Sequence, residues 1–349
     1  MSSVANKILD FFSFRRIAIP IVIGLAAASY LVYKNFDLSV FKNINWSWTI
    51  AFWLFMAVLL MGVRAIAYMY RLRILTDNQI SWRRSFDTIM LWEFASSITP
   101  SIVGGSAIAL YIVNKEGINM GRTTAIVLIT SLFDEIFYIT VVPIVIFLAG
   151  YDRIFTIDAE FALLSSKVGL LGVFLSGYIF IVILSFIIFY GIFINPRGTK
   201  WILIKLFKLP FLKKWFQGAV NTGDQIITTS KEMKGKGAMF WFKVYFSTFI
   251  TWTARFWMVN CIILAFIAVN EHFLIYARQL VMWVILLISP TPGGSGVAEF
   301  IFSDFLGEFI TLGLVPALAF LWRLLSFYPY IFIGVIILPA WIRRVYNRS

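Results

Sequence analysis

The sequence predicts an all-α polytopic membrane protein with about six spanning helices and two re-entrant helical hairpins in an inverted repeat. Of its 349 residues, 60% are hydrophobic, 18% are aromatic and only 13% are charged. A water-soluble domain needs more polar surface than this, whereas a bilayer suits such a composition. Six apolar stretches reach the roughly 20 residues that a helix needs to cross about 30 Å of hydrocarbon. They cover residues 17–33, 46–70, 123–150, 168–194, 244–269 and 309–338.

Two further apolar segments, residues 86–113 and 273–306, are each broken in the middle by proline and glycine. Proline removes a helical hydrogen bond, so neither segment can form one straight helix. Broken helices occur at membrane depth where protein or a water-filled cavity satisfies the freed backbone groups. We therefore predict two re-entrant hairpins. Their tips are Pro100, Gly104, Gly105 and Ser106 in the first hairpin, and Pro292, Gly293, Gly294, Ser295 and Gly296 in the second.

The two broken segments belong to a predicted internal repeat. Ser106 precedes Asp134 by 28 residues, and Ser295 precedes Arg323 by the same distance. Each unit consists of a spanning helix, a broken hairpin and another spanning helix, and the two units have opposite orientations. Inverted repeats place the substrate site of transporters near the bilayer midplane. Within a single membrane domain of residues 1–349, we predict the repeats at residues 46–150 and 244–338.

The formal net charge of +13 comes from lysines and arginines in loops between the apolar segments. Membrane lipids with anionic headgroups, and not nucleic acid, are the expected partners of such loops. If each broken segment returns to its own side, most basic residues fall on one face, which includes Arg71 and both termini. The excess of positive charge identifies this face as cytoplasmic in a multi-pass protein of the cell membrane. Residues 195–243 form a basic segment that is either an amphipathic element on the cytoplasmic surface or a plain solvated loop.

Several charged side chains fall inside apolar segments, where a charge at the bilayer centre costs roughly 2.5 to 3.5 kcal/mol, and seven of them are candidates for a site. One hypothesis is that they pair structurally across the interface between the repeats. The other is that they line a cavity in which carboxylates bind the amine of a lipid headgroup and arginines bind its phosphate. These candidate substrate-binding residues are Arg64, Glu93, Asp134, Glu135, Arg255, Glu299 and Arg323.

The sequence has few features typical of an enzyme. Cys261 and His272 are the only cysteine and histidine, which are too few ligands for a transition-metal site. Neither glycine motif matches a dinucleotide-binding or Walker loop. The buried acids can act as general acids or bases, but no recognisable nucleophile with a positioned base accompanies them. We expect no enzymatic activity, no metal and no other cofactor.

Four sequence motifs carry a resemblance to a known family. They are residues 292–299 and 321–324 in the second half, and residues 100–106 and 132–134 in the first. These motifs resemble the lysylphosphatidylglycerol synthase transmembrane region, also called the flippase-like domain family. The resemblance implies a bacterial or archaeal membrane domain that, in two-domain members, moves aminoacylated phosphatidylglycerol to the outer leaflet. It assigns the family motif to Pro292, Gly293, Gly294, Gly296, Glu299 and Arg323.

The first half departs from the family pattern, which has a glutamate soon after its glycines and a Glu-Arg pair before its Leu-Phe-Asp stretch. This chain has Ala107 or Ile108, then Thr130 and Ser131, at these places, and only Asp134 keeps its charge. A changed set of charges is expected to select a different headgroup. The soluble synthase domain of two-domain members does not follow the last predicted helix, so we expect this chain not to synthesise a lipid.

Together these features predict a lipid flippase or lipid transporter that moves a phosphate-bearing lipid, with aminoacylated lipids among the candidates, across the cytoplasmic membrane. The alternative is a non-transporting membrane scaffold or partner protein whose intramembrane ion pairs are structural. The sequence leaves the oligomeric state open, and a homo-oligomer is one alternative.

Overall fold

The computed structural model describes residues 47–98, 101–155, 167–209, 216–287 and 297–346, and every element within these ranges is helical. Five helical stretches are long and apolar enough to cross a bilayer, which confirms the predicted all-α membrane fold. They are Trp48–Leu75, Met120–Ala149, Gly169–Ile194, Ala238–Phe266 and Val315–Val345. The predicted span at residues 17–33 lies outside the described residues, as do Pro100, Pro292, Gly293, Gly294, Ser295 and Gly296.

The described α-helices are named in chain order. The first half contains α1 (Trp48–Leu75), α2 (Trp82–Ile98), α3 (Ser101–Lys115), α4 (Met120–Ala149) and α5 (Tyr151–Phe155). The middle contains α6 (Lys167–Phe189), which ends in a π-helical turn at Tyr190–Ile194, followed by α7 (Pro196–Phe207) and α8 (Phe216–Lys234). The second half contains α9 (Ala238–Phe266), α10 (His272–Leu286), α11 (Val297–Leu306), α12 (Val315–Ser326) and α13 (Tyr328–Tyr346).

Helices α1 and α9 pack along each other and form the most extensive helix pair of the described bundle. The largest apolar core lies beside them and includes the fully buried residues Phe137 of α4, Val281 of α10 and Phe302 of α11. On the outside of the bundle, large apolar side chains such as Phe52 and Ile187 are exposed. Lipid tails would cover these faces in a bilayer, because they are as apolar as the side chains themselves.

Helices α2 and α3 form an antiparallel hairpin. Near its closed end, Gly105 of α3 faces Ser96 of α2 so closely that a Cβ atom at Gly105 would lie 2.9 Å from the Ser96 Cα. At the other end, the Arg84 Nε of α2 lies 3.9 Å from a carboxylate oxygen of Glu116, directly after α3. Arg344 of α13 binds Glu116 as well. The predicted tip residues Gly104, Gly105 and Ser106 therefore belong to the first turns of α3, at the closed end of the hairpin.

Helices α10 and α11 pack against each other in the second half. Arg278 of α10 donates to the carbonyl of Phe305, in the last turn of α11, at 3.1 Å, and to the carbonyl of Arg153 at 2.8 Å. Glu116 precedes the 30-residue helix α4 and Arg153 follows it, so the two helix pairs open at opposite ends of α4. An inverted repeat requires this arrangement. The re-entrant course of the hairpins through a bilayer stays a prediction, as do the bounds of the repeats.

Pro143 lies inside α4 and frees one backbone acceptor. Because proline has no N–H group, the carbonyl of Ile139 loses its helical hydrogen bond. The Tyr178 hydroxyl of α6 donates to this carbonyl oxygen at 3.0 Å. Where water is absent, such a side-chain donor replaces the missing bond and also joins the two helices.

The last predicted span, residues 309–338, is not one continuous helix. Two 3-10 turns, Gly307–Phe309 and Leu312–Leu314, precede α12, and the helix is interrupted at Phe327, where φ is −130°. Pro329 follows two residues later and cannot donate to the carbonyl of residue 325. The predicted span therefore corresponds to α12 and α13, which meet at this break.

The basic segment predicted at residues 195–243 contains α7, α8 and the beginning of α9. Helices α7 and α8 pack against each other, and α7 exposes Trp201 and Leu206 together with Lys205. This mixture of exposed apolar and basic side chains is typical of a helix at a membrane interface. Its position on the cytoplasmic surface stays a prediction.

Asp77, in the turn between α1 and α2, connects this segment to α4. It accepts hydrogen bonds from Lys236 Nζ at 2.7 Å and from Arg122 Nη2 at 2.5 Å. Partial burial opposes ionisation of the carboxyl group, but the two hydrogen bonds outweigh it and lower the pKa of Asp77. The resulting stabilisation is complete above the pKa of an unfolded aspartate, about 3.9, and is lost as the pH falls through the lower folded pKa.

We expect Tyr178→Phe to lower the free energy of unfolding by about 1 to 3 kcal/mol, because it leaves the partly buried Ile139 carbonyl without a donor. In a Pro143→Ala background the new backbone N–H can donate to that carbonyl, so the same substitution should cost less. Denaturation of the wild type, both single variants and the double variant in detergent micelles measures the difference. An equal cost in both backgrounds would contradict the replacement role of Tyr178.

Candidate functional site

A cavity of about 280 Å³ lies between helices from both halves of the chain. Six of the seven predicted substrate-binding residues line it, together with Ser106 from the first predicted tip. Glu299 is buried behind the wall, next to Arg323. The six residues are Arg64, Glu93, Asp134, Glu135, Arg255 and Arg323. The structure thus brings the predicted charges together, while their role in binding a substrate stays a prediction.

Arg64 and Glu93 form the first ion pair of the cavity wall. Arg64 of α1 is 3% exposed, and its Nη2 donates to a carboxylate oxygen of Glu93 in α2 at 2.8 Å. Its Nη1 donates to the hydroxyl group of Tyr330 in α13. The cation therefore has both a carboxylate and a neutral partner, as a buried charge requires.

Asp134 pairs with Arg71, which sequence analysis placed in a cytoplasmic loop. Helix α1 continues beyond Tyr70 to Leu75, and Arg71 is fully buried within it. Its Nη1 lies 2.6 Å from the Asp134 Oδ1 and 2.7 Å from the Thr248 Oγ1 of α9. The loop assignment of Arg71 was wrong because it ended the helix at the first charge after the apolar stretch. A buried carboxylate partner allows the helix to carry an arginine.

Arg323 of α12 and Glu299 of α11 form a third ion pair, with 3.1 Å between the arginine Nε and the glutamate Oε1. Their exposures are 2% and 0%, respectively. The Arg323 guanidinium also lies over the ring of Phe327, 3.8 Å from its centre. Arg323 reaches the cavity, but its charge is balanced by Glu299 from behind the wall.

The three ion pairs correct the expectation that the buried charges pair across the interface between the repeats. Both partners of each pair belong to the same predicted repeat. At the cavity, the contacts that cross between the repeats are hydrogen bonds with one neutral partner. They are Arg64 with Tyr330, Arg71 with Thr248, and Trp252 with Asp134, the last at 2.9 Å. Thr140 and Tyr245, which are both neutral, form a further hydrogen bond between α4 and α9 at 2.7 Å.

Arg255 of α9 lines the cavity, is 8% exposed and has no carboxylate within ion-pair distance in the part of the chain that the structure describes. Its guanidinium carbon lies 4.3 Å from the ring centre of Trp283 and 5.7 Å from a ring centre of Trp252. Its Nε has no hydrogen-bond partner among the described residues. The Arg64 and Glu93 charges act on Arg255 from beyond ion-pair distance. The cavity therefore contains a cation whose charge no adjacent carboxylate balances.

Glu135 follows Asp134 in α4 and lines the cavity where α4 meets α6. Its carboxylate accepts a hydrogen bond from the Ser185 Oγ of α6 at 2.7 Å. The apolar side chains of Phe180 and Leu184 form the neighbouring wall. This side of the cavity is therefore mostly apolar, apart from the carboxylate and the serine.

Aromatic side chains form much of the remaining wall, and sequence analysis did not identify them. Tyr68, Trp92 and Tyr138 line the cavity along with the residues already described. Aromatic residues are common in apolar helices, so composition cannot distinguish a cavity wall from an ordinary core. The one available signal was spacing, because Trp252 precedes Arg255 by three residues and so lies on the same helix face.

We expect Arg71→Leu to lower the free energy of unfolding by about 2 to 4 kcal/mol, because it leaves the half-buried Asp134 carboxylate without its cation. Adding Asp134→Leu should restore part of this loss, since both charges are then removed. Denaturation in detergent micelles provides the measurement. Arg73→Leu is the matched control, because Arg73 lies in the same helix and is only partly buried. A double variant no more stable than Arg71→Leu would contradict the ion pair.

Comparisons with known proteins agree with this architecture. The chain matches the family model of the lysylphosphatidylglycerol synthase TM region over residues 17–334. It is also 25% identical over 331 residues to a UPF0104 membrane protein of Archaeoglobus fulgidus, an alignment that covers 91% of this chain and 94% of the relative. The family match extends over most of the chain and includes every charged residue of the cavity. The protein therefore belongs to the lysylphosphatidylglycerol synthase transmembrane region family.

Proposed function

We propose that this protein is a lipid flippase or lipid transporter that moves a phosphate-bearing lipid, with aminoacylated lipids among the candidates, across the cytoplasmic membrane. One observation carries the proposal, namely that Arg255 is buried in the cavity wall without an adjacent carboxylate in the described part of the chain. A charge at this depth costs roughly 2.5 to 3.5 kcal/mol on insertion scales. A ligand that brings a negative charge into the cavity would offset this cost.

Phosphate is the anion that suits Arg255 best. A guanidinium group is planar and presents parallel N–H donors that match two oxygens of a phosphate. The ring of Trp283 covers a face of this group at 4.3 Å, and stacking on a face leaves the edge available for hydrogen bonds. Arg255 is thus held in place by aromatic contacts while its N–H donors stay available for a ligand.

A lipid accounts for the cavity better than a soluble phosphate does. The wall formed by α6 is apolar and includes Phe180, which is 47% exposed. A headgroup in the cavity could therefore leave its tails in the surrounding lipid along α6. Membership in a family of membrane domains that is named after a lipid synthase supports the same choice.

Movement of one repeat against the other would expose the cavity to each leaflet in turn. The two helical pairs open at opposite ends of α4, as such a mechanism requires. The basic residues around α7 and α8 favour an orientation with this side and both termini in the cytoplasm. In this proposal the protein transports its lipid without changing it chemically.

A non-transporting membrane scaffold would need only structural ion pairs. The pairs formed by Arg64, Arg71 and Arg323 fit this alternative equally well. Arg255 does not, because a structural role offers no reason to bury a cation away from any adjacent carboxylate. Arg255 is therefore the residue at which the two functions predict different results.

We expect Arg255→Gln to reduce lipid movement at least tenfold, because each charge-assisted hydrogen bond contributes roughly 1.5 to 3 kcal/mol. Arg255→Lys should retain part of the activity, since it keeps the charge but loses the bidentate geometry. Purified protein in liposomes that contain tail-labelled phospholipids provides the assay, with bleaching of the label in the outer leaflet as the measurement.

Arg153→Gln is the matched control. Arg153 lies outside the cavity and forms an exposed ion pair with Glu271 at 2.5 Å, so lipid movement should stay at the wild-type rate. Arg323→Ala is a poor test, because it also leaves Glu299 buried without a cation. If Arg255→Gln folds normally and moves lipid at the wild-type rate, the proposed role of the cavity is wrong.

A further inference from the structure

We infer that the cavity binds a headgroup with one phosphate and one primary ammonium, so that its substrate is an amine-bearing phospholipid without net headgroup charge. This inference rests on the proposed function and deepens it, because it names the class of lipid. We base the inference on which charged side chains line the cavity and on which of them have an oppositely charged partner within the protein.

Most charges at the cavity are balanced within the protein. Three arginines each have a carboxylate partner at 3.1 Å or less, so these pairs contribute no net charge. Two charged side chains of the wall are left without an oppositely charged partner at ion-pair distance in the described chain. They are Arg255 and Glu135. The unbalanced charge of the cavity is thus one cation and one anion.

Glu135 has the environment of an unoccupied ammonium site. Its described hydrogen bond comes from Ser185 Oγ, a neutral group, at 2.7 Å. The residue before it in α4, Asp134, carries a charge of the same sign. A carboxylate has about four acceptor positions, so Glu135 can still accept N–H donors from a ligand. A primary ammonium offers three such donors and the opposite charge.

The two unbalanced groups are linked by a short chain of contacts. The guanidinium carbon of Arg255 lies 5.7 Å from a ring centre of Trp252. The Trp252 Nε1 donates to Asp134 at 2.9 Å, and Asp134 is the neighbour of Glu135 in α4. One aromatic side chain and one helical residue therefore separate the cation from the anion. Both groups line one cavity of about 280 Å³, and the inference requires a single headgroup whose phosphate and amine reach both of them.

Charge matching separates three classes of headgroup. A headgroup with only a phosphate would satisfy Arg255 but would place its negative charge near Glu135. A headgroup with two ammonium groups would satisfy Glu135 but would bring one cation more than the unbalanced carboxylate can neutralise. Only a headgroup with one group of each sign leaves no unbalanced charge in a site that is screened from water.

The same two helices offer a place for a lipid tail. A second hollow, of about 520 Å³, lies between the C-terminal part of α4 and the N-terminal part of α6, next to α5. It is lined by apolar and aromatic side chains, which include Val142, Phe147, Phe174 and Leu175. Because Glu135 and Ser185 also join α4 to α6, a lipid with its amine at Glu135 can place an acyl chain along this boundary.

The experiment compares tail-labelled phosphatidylethanolamine, phosphatidylglycerol and lysyl-phosphatidylglycerol in proteoliposomes of the wild-type protein. We expect phosphatidylethanolamine to move roughly tenfold faster than either of the others, the size of effect that one charge-assisted hydrogen bond produces. Glu135→Gln should reduce the ratio of phosphatidylethanolamine to phosphatidylglycerol movement to about one. Arg255→Gln should slow all three lipids.

Glu271→Gln is the matched control, because Glu271 is an exposed carboxylate outside the cavity, and the ratio should stay at its wild-type value. Equal movement of all three lipids by the wild type, or a ratio unchanged by Glu135→Gln, would overturn the inference and leave the proposed function intact. If lysyl-phosphatidylglycerol moved faster than phosphatidylethanolamine, the inference that the cavity binds a headgroup with one ammonium group would be wrong. If none of the three lipids moved faster than in protein-free liposomes, the proposed function itself would be contradicted.

A soluble competitor separates the lipid from its free headgroup. We expect millimolar glycerophosphoethanolamine to compete weakly, because it lacks the tails that the boundary between α4 and α6 can hold. Competition as strong as that of short-chain phosphatidylethanolamine would show that the headgroup alone is the ligand, and would overturn the assignment to a lipid.

Discussion

The absence of water within a bilayer is the constraint on which this structure depends. Every buried charge and every freed backbone group must find its partner within the protein. The carbonyl that Pro143 leaves free is satisfied by Tyr178, and three buried arginines have carboxylates at ion-pair distance. Two charged side chains of the cavity wall, Arg255 and Glu135, have no oppositely charged partner at ion-pair distance within the described chain. Charges left unbalanced in one cavity indicate where a charged ligand would bind.

The two halves of the chain explain how these exceptions arise. Arg64 and Arg255 occupy similar depths in α1 and α9, the helices that begin the two predicted repeats. Arg64 is paired with Glu93, 29 residues further on, in the first helix of its hairpin. The residue 28 positions after Arg255 is Trp283, whose ring stacks on the arginine instead. Where the first half has the Glu93 carboxylate, the second half has the Trp283 ring. The ring holds Arg255 in place without neutralising its charge, which stays available for a ligand.

The sequence predicted the features that a single segment determines, such as apolar spans and isolated charges. It did not predict the burial of a charge whose partner lies in another segment. The spans were predictable from apolar length, and Asp134, Arg255 and Arg323 were predictable because a charge inside an apolar stretch is visible on its own. Arg71 was missed because its burial depends on Asp134, 63 residues away in the chain. Local patterns show which residues are unusual, whereas pairing is decided by tertiary contacts.

The strengths of the polar contacts also match the motion that a transporter needs. The strong contacts, which are the ion pairs of Arg64, Arg71 and Arg323, lie within the predicted repeats and make each repeat rigid. At the cavity, the hydrogen bonds that cross between the repeats have a neutral partner and contribute less, about 0.5 to 3 kcal/mol each. Breaking an ion pair would leave a charge unbalanced in the membrane, whereas a hydroxyl or indole partner can be exchanged at lower cost. The repeats can therefore move against each other at the cavity without separating the ion pairs of Arg64, Arg71 and Arg323, whereas Arg344 near the end of α13 binds Asp87 and Glu116 of the first half.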